Sequence, residues 1–154
     1  MKPQKSLRAR ALDILSRQET SRAALKRKLA PHAENEAELE QLLDELAERG
    51  WQSDERYAET YIHSKSGRHG ALRLKQALAL QGIGEDISAH YLPERNSEHL
   101  TAAAVLRKKF KAPAADAKEK QKQMRFLLYR GFDTETALYA MKTAWEEDTD
   151  SNGL

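Results

Sequence analysis

Residues 46–51 read Leu-Ala-Glu-Arg-Gly-Trp, and this pattern of leucine, three variable residues, glycine and a large apolar residue returns twice. Residues 78–83 read Leu-Ala-Leu-Gln-Gly-Ile, and residues 127–132 read Leu-Leu-Tyr-Arg-Gly-Phe. A glycine directly after a helix can adopt the left-handed conformation that ends it, and the following apolar residue folds back onto the last turn. An acidic residue that can open another helix follows each copy within a few positions. We interpret the three hexapeptides as equivalent helix corners of a structural repeat.

Residues that favour the start of a helix occur at positions that agree with these three corners. Asn35 and Asp116 each precede a glutamate by three residues, which is capping-box spacing, and Ser53 and Asp133 are good N-caps. Together with the apolar periodicity, these signals predict an all-α protein. The predicted helices lie at about 6–17, 20–30, 35–49, 53–66, 70–81, 84–92, 96–111, 116–130 and 133–147.

These helices group into three tandem three-helix repeats. We place repeat 1 at residues 6–50, repeat 2 at 53–92 and repeat 3 at 96–147, and we interpret residues 148–154 as an acidic flexible tail. Because a unit of this size buries only a small core, each repeat must lean on its neighbour. The prediction is an elongated, curved array.

Composition agrees with many amphipathic helices. Of 154 residues, 40% are hydrophobic and 32% are charged, and the mean hydropathy is −0.80. There is no cysteine, so a disulfide framework and a thiolate metal site are excluded, and a reducing compartment fits best. The N-terminal stretch has no apolar core of a signal peptide, and no run approaches the roughly 18 apolar residues of a membrane span. We expect a cytoplasmic protein that does not enter the membrane.

The net charge of +2 conceals a strong segregation of charge along the chain. Residues 1–31 contain 9 basic and 2 acidic residues, and residues 32–60 contain 2 and 10. Residues 61–83 contain 4 basic residues and no acidic one, and residues 99–132 contain 9 and 2. A single run of this kind is usually a solvated helix face, but three runs in register with the repeats indicate a common side.

Stacking of the repeats in one sense would align this basic surface into a ribbon suited to an extended polyanion such as nucleic acid. The residues that we expect to form it are Arg22, Lys26, Arg27, Lys28, Arg68, Arg73, Lys75, Arg107, Lys108, Lys109, Lys118, Lys122 and Arg125.

Catalytic and metal-binding patterns are absent from the sequence. No Gly-x-x-x-x-Gly-Lys phosphate loop occurs, and residues 82–84, Gly-Ile-Gly, lack the strand and the further glycine of a dinucleotide site. The five histidines show no His-Glu-x-x-His or clustered ligand spacing. We therefore expect a protein that is not an enzyme and that uses no metal and no cofactor.

The aromatic residues could either stack on bases or fill the core. Most of them fall on apolar stripes, which favours the core, whereas Tyr129 and Tyr139 are expected to be exposed. The residues assigned to the core are Trp51, Tyr57, Tyr61, Tyr91, Phe110, Phe126, Phe132 and Trp145.

The order of motifs resembles the RecX family of bacterial recombination regulators. Residues 54–62, Asp-Glu-Arg-Tyr-Ala-Glu-Thr-Tyr-Ile, resemble the family's Asp-Glu-aromatic-Ala stretch. Residues 70–78, Gly-Ala-Leu-Arg-Leu-Lys-Gln-Ala-Leu, are similar to its central basic helix, and residues 130–137 carry the Arg-Gly-Phe, Glu and Ala of its closing motif. Residues 11–25 are similar to its first unit, so the resemblance covers about residues 7–142.

This resemblance implies tandem three-helix units and a regulator of the RecA recombinase, and we expect the protein to be a monomer. Such a protein binds the RecA–single-stranded-DNA filament in its groove, and double-stranded DNA more weakly, and alters filament assembly, ATP hydrolysis and strand exchange. Two positions depart from the family pattern: Ala71 stands where the family often has proline, and Ala77 where it often has glutamate. The first departure concerns how rigidly the central helix begins.

A different class of protein is also compatible with three-helix units of this size. Sequence-specific DNA-binding factors of the helix-turn-helix type are built on similar units and place a recognition helix in the major groove. No helix combines a glycine-containing turn with Asn, Gln or Arg projecting from its first turns in the arrangement of a recognition helix, and no dimerisation segment is evident. Selection of DNA ligands in vitro would discriminate, because a sequence-specific factor enriches one duplex sequence.

Overall fold

The computed structural model describes residues 5–146, and within this range the regular structure consists of nine α-helices, one 3-10 turn at Ala30–His32 and no strand. The all-α class is therefore confirmed. The helices are α1 (Leu7–Arg17), α2 (Arg22–Leu29), α3 (Glu36–Glu48), α4 (Asp54–Lys65), α5 (Ala71–Leu80), α6 (Glu85–Tyr91), α7 (Arg95–Lys109), α8 (Ala117–Tyr129) and α9 (Thr134–Thr143).

The helix ends agree with the predicted ends to within two residues, except at the end of α9. That helix was predicted to continue to residue 147, which lies outside the described residues, but it ends at Thr143. The chain tightens there into a turn in which the Glu146 amide donates to the Thr143 carbonyl at 3.1 Å. The predicted tail at 148–154 also lies outside the described residues.

The three hexapeptides form the same corner. In each copy the amide of the last residue donates to the carbonyl of the first leucine, at 3.0, 3.0 and 3.2 Å in chain order. The glycines have φ angles of 72°, 78° and 96°. This hydrogen bond and the left-handed glycine define the Schellman motif, so the predicted corners are confirmed.

The helix-start signals are confirmed as well. Asn35 Oδ1 accepts from the Glu38 amide at 2.8 Å, and Asp116 Oδ1 accepts from the Glu119 amide at 2.8 Å. The two glutamate side chains reach back to the amide one residue before the N-cap, at 3.0 and 2.8 Å. Ser53 and Asp133 accept from the amide three residues ahead in the same way, at 3.1 and 2.7 Å.

The described residues form two compact units, which we consider separately. Unit 1 contains residues 5–64 and Ala77–Tyr91, and unit 2 contains Lys65–Gln76 and residues 92–146. Unit 1 has two apolar clusters: one is centred on the leucines of α2 and α3, and the other on Ala58, Leu78 and Ile83. Unit 2 has one cluster, in which the alanines of α7 and α9 surround fully buried leucines and Phe132. The three-repeat boundaries at 6–50, 53–92 and 96–147 stay a prediction.

The aromatic predictions hold with one exception. Phe132 is 1% exposed, while Tyr129 and Tyr139 are 74% and 47% exposed. The aromatic residues that pack, half-buried, against the clusters are Tyr57, Tyr61, Tyr91, Phe110, Phe126 and Trp145.

Trp51 does not belong to the core, so this part of the prediction is wrong. Its side chain is 40% exposed. The guanidinium groups of Arg8 and Arg49 lie 5.4 and 5.2 Å from its ring centroid. Indole is the side chain that binds cations best through its ring face, so this corner residue contacts arginines where an apolar pocket was expected.

Candidate nucleic-acid interface

The start of α5 is attached to the corner between α8 and α9, within unit 2. The amides of Gly70 and Leu72 donate to the carbonyls of Arg130 and Gly131, at 2.8 and 3.1 Å. The Ala71 amide donates to Oε1 of Glu98 at 2.8 Å. The first amides of a helix have no partner within it, so the corner and Glu98 supply the acceptors that α5 needs.

Two glycines allow the backbones to meet at this attachment. A Cβ atom on Gly70 would lie 2.4 Å from the Gly131 carbonyl carbon, and one on Gly131 would lie 2.2 Å from Cβ of Arg73. Both distances are below any real contact of a Cβ atom. The close approach therefore requires glycine at both positions, and it places Arg73 beside the end of α8.

Arg73 covers an exposed tyrosine at that end. Its guanidinium lies 5.2 Å from the ring centroid of Tyr129, and Nη1 donates to the Tyr129 carbonyl at 3.4 Å. The ring is nevertheless 74% exposed. An exposed ring with an arginine against it combines the two elements with which proteins bind single-stranded bases, stacking and positive charge.

The outer face of α8 continues this surface toward the start of the helix. Lys118, Lys122, Arg125 and Tyr129 follow each other at intervals of four, three and four residues, which places them on one face of a helix. Leu127, which is 0% exposed, marks the opposite, core-facing side. We call the group of Arg73, Lys118, Lys122, Arg125 and Tyr129 the α8 stripe.

A second basic feature lies on another side of α8. It is a cavity of about 400 Å³ between α7, α8 and the loop that precedes α5. The Arg130 guanidinium lies 5.2 Å from the ring centroid of Phe126 in its wall. We call it the basic cavity; Arg68, Val105, Lys108, Lys109, Phe126 and Arg130 line it.

The pKa of His69 reflects the positive charge of this region. It is lowered from the usual value of 6.5, first by burial and then by the charges of Arg73, Lys65, Arg130 and Arg68. Burial and the neighbouring cations therefore both oppose a positive charge on this imidazole.

In unit 1, acidic side chains of α3 pair with two of the cations that were expected to form the basic ribbon. Arg22 Nη2 lies 2.9 Å from Glu40 and 2.6 Å from Asp44, and Lys26 Nζ lies 2.5 Å from Glu40 and 3.6 Å from Glu36. The hydrogen bonds from Lys26 and Arg22 lower the pKa of the Glu40 carboxyl. The acidic helix α3 thus neutralises part of the charge on α2.

Other expected cations have individual roles. Arg27 donates to Gln81 at 3.2 Å, and Arg107 donates to the Ala144 carbonyl at 2.9 Å, just past the end of α9. Lys28 is exposed at the end of α2. Lys75 is exposed two residues beyond Arg73, so it lies on another face of α5.

The structure brings together residues that sequence reasoning left out of the site. Arg130 and Phe126 belong to the wall of the basic cavity, although neither was expected to bind. Tyr129, which was expected only to be exposed, belongs to the α8 stripe. A signal was present in residues 67–70, Gly-Arg-His-Gly, a basic loop between two glycines. It does not identify the helices against which the loop packs. Alignment of the thirteen cations into one ribbon stays a prediction.

Across residues 5–146, no helix combines the length and the apolar character needed to cross a bilayer. In the same range, no group of three His, Asp or Glu side chains is arranged to hold a metal ion.

Comparison with known proteins defines the class first. The sequence model described as RecX, second three-helix domain, matches residues 53–92, and that described as RecX, third three-helix domain, matches residues 100–141. The crystal structure of RecX from Lactobacillus salivarius superposes on this chain with a TM-score of 0.80 at 19% sequence identity. The superposition covers 90% of this chain and 94% of the RecX chain. The fold is therefore that of a helical protein built from three-helix domains.

Sequence relatives then give the family. Regulatory protein RecX of Neisseria meningitidis serogroup A / serotype 4A is 72% identical over 96% of this chain and 97% of its own. The protein of the same name from Neisseria gonorrhoeae strain FA 1090 is 70% identical over 96% of this chain and 97% of the relative's length. Regulatory protein RecX of Ralstonia nicotianae is 46% identical over 82% of this chain and 80% of the relative's length. The chain belongs to the RecX family, whose members named here are regulatory proteins.

Proposed function

We propose that this protein is a non-enzymatic regulator that binds RecA–single-stranded-DNA filaments in their groove and modulates filament assembly, ATP hydrolysis and strand exchange in recombination and DNA repair. Membership of the RecX family supports the regulatory role. The α8 stripe is the observation that carries the nucleic-acid part of the proposal, because it joins an exposed aromatic ring to a row of cations.

The charge of the α8 stripe is not cancelled by nearby acids. Residues 99–132 contain only two acidic residues, Asp116 and Glu119, and both cap the start of α8. Within residues 5–146, Lys118, Lys122 and Arg125 have no ion pair. A row of free cations on one helix face is suited to neutralising phosphates.

The spacing of the stripe fits a nucleic-acid strand. Seven residues separate Lys118 from Arg125, a rise of about 10 Å at about 1.5 Å per residue. Phosphates of one strand lie about 3.4 Å apart along the axis of a B-form duplex and farther apart in an extended strand, so this length matches about two or three phosphates. Contacts of this kind do not depend on base sequence, which suits a regulator of filaments that form on any DNA.

The test is a titration of the protein into RecA filaments on single-stranded DNA, with DNA-dependent ATP hydrolysis and filament length as readouts. The double variant Lys118→Glu/Lys122→Glu should require at least tenfold more protein for the same effect. The matched control, Arg17→Glu/Lys142→Glu, makes the same change in net charge at exposed cations outside the α8 stripe. It should leave the titration curve within about twofold of the original, since surface charges outside a site act weakly.

Binding to single-stranded DNA alone gives a second readout. Loss of two phosphate contacts in the stripe should reduce the slope of log K against log salt by about 1.4. Equal curves and slopes for both double variants would refute the role of the stripe. Enrichment of one duplex sequence from a random pool would instead favour a sequence-specific factor of the helix-turn-helix type.

A further inference from the structure

The basic cavity has the dimensions of a small-molecule site. Its volume is about 400 Å³, within the range of about 300–1,000 Å³ that is typical of ligand pockets. Its cations come from three segments: Arg68 from the loop before α5, Lys108 and Lys109 from the end of α7, and Arg130 from the residue after α8. Side chains from separate segments converge on one space here, whereas the α8 stripe is a row on one helix.

Two lysines of the basic cavity, Lys108 and Lys109, carry positive charge that no ion pair in residues 5–146 neutralises. None of the residues that line the cavity is acidic. Like charges around one space repel each other, so an anion bound between them relieves that repulsion.

The number and placement of the charges favour several adjacent phosphates. A single strand carries one charge per nucleotide along its length, and a row of cations such as the α8 stripe suits it. Four converging cations suit a ligand whose negative charges are concentrated at one point. The apolar wall of Val105 and Phe126 leaves room for an uncharged part of the same ligand.

We propose that the basic cavity is a binding site for a polyphosphate group, as carried by a nucleoside triphosphate or by inorganic polyphosphate. The site is separate from the α8 stripe: Phe126 is one residue beyond Arg125, which turns it about 100° around the helix. Occupation of the cavity therefore does not require DNA on the stripe, and this inference does not depend on the proposed function.

The experiment follows the amide resonance of Gly67, which also lines the cavity, in the full-length protein. ATP and sodium tripolyphosphate, each without divalent metal and at constant ionic strength, should produce a saturable shift. Lys108→Gln/Lys109→Gln should raise the dissociation constants of both ligands at least tenfold. Lys118→Gln/Lys122→Gln should change these constants less than twofold. If the first variant fails to fold, Arg68→Gln, at an exposed loop position, replaces it with the same expectation.

Each result of this titration decides the matter. Tighter binding of ATP than of tripolyphosphate supports a nucleotide as the source of the phosphates, and equal binding supports inorganic polyphosphate. A response to a single-stranded oligonucleotide without a response to either polyphosphate would overturn the proposal. So would an equal response to sodium sulfate at the same ionic strength, because simple charge screening would then explain the shift.

Discussion

At the scale of single residues, position 131 imposes two conditions that only glycine meets. Its φ of 96° lies in the left-handed region, and a Cβ atom would lie 2.2 Å from Cβ of Arg73 and 2.7 Å from its backbone nitrogen. Gly50 shares the first requirement, with a φ of 72°, but a Cβ atom there would meet nothing within 4 Å. The two glycines therefore separate backbone strain from steric overlap.

We expect Gly50→Ala to lower the free energy of unfolding by about 1–2 kcal/mol, the cost of a left-handed alanine. Gly131→Ala should lower it by at least about 2 kcal/mol more, because the backbone contact with α5 must also open. Urea denaturation measures both values. Equal losses would mean that the contact between the corner and α5 contributes nothing to stability.

His69 should make the stability depend on pH, because its burial and the positive charges around it lower its pKa. Its pKa in the folded protein is below the usual value of 6.5, so the unfolded chain takes up the proton first as the pH falls. Stability that is present above about pH 6.5 should therefore be lost as the pH falls toward the folded pKa. His69→Gln should lack this part of the pH dependence when urea denaturation is compared at pH 8 and pH 5.5. If His69→Gln and the original protein lost the same free energy of unfolding between pH 8 and pH 5.5, the prediction would be wrong.

At the scale of elements, the start of α5 depends on Glu98 of α7. Glu98 is 8% exposed, and its carboxylate accepts from the Ala71 amide at 2.8 Å. Proline has no amide hydrogen, so this bond can form here only because residue 71 is not proline.

Glu98→Ala should destabilise the protein by about 1–3 kcal/mol, because it leaves the partly buried Ala71 amide without an acceptor. Glu98→Gln keeps an oxygen at the same place and should recover at least half of that loss. The free energy of unfolding in urea measures both. A glutamine variant as unstable as the alanine variant would show that the negative charge of Glu98 at the start of α5 matters more than the hydrogen bond.

At the scale of the whole molecule, the prediction of an elongated, curved array follows from the repeat alone. A compact chain of this length would have a radius of gyration of about 15 Å. We expect small-angle X-ray scattering of the monomer to give a larger value, since stacked repeats contact only their neighbours. A radius at or below the compact value would contradict the array and the ribbon that depends on it.

The helices, their caps and their corners were predictable from the sequence because each depends on groups that are close along the chain. The amide of Glu38 finds Asn35 three residues away, and the corner bond of residues 46–51 spans five. Donor and acceptor of each such bond lie within one local segment, so local patterns are sufficient to predict them.

Only the tertiary structure decided which charged and aromatic residues are available to bind. Arg22 finds Asp44, 22 residues away, Trp51 meets Arg8 from another helix, and Arg73 covers Tyr129, 56 residues away. Periodicity gives the face of a helix on which a side chain lies, but not the neighbour that the face meets. Neutralisation of Arg22 and Lys26 by α3 and assembly of the basic cavity therefore depend on packing between distant segments, which a one-dimensional pattern does not contain.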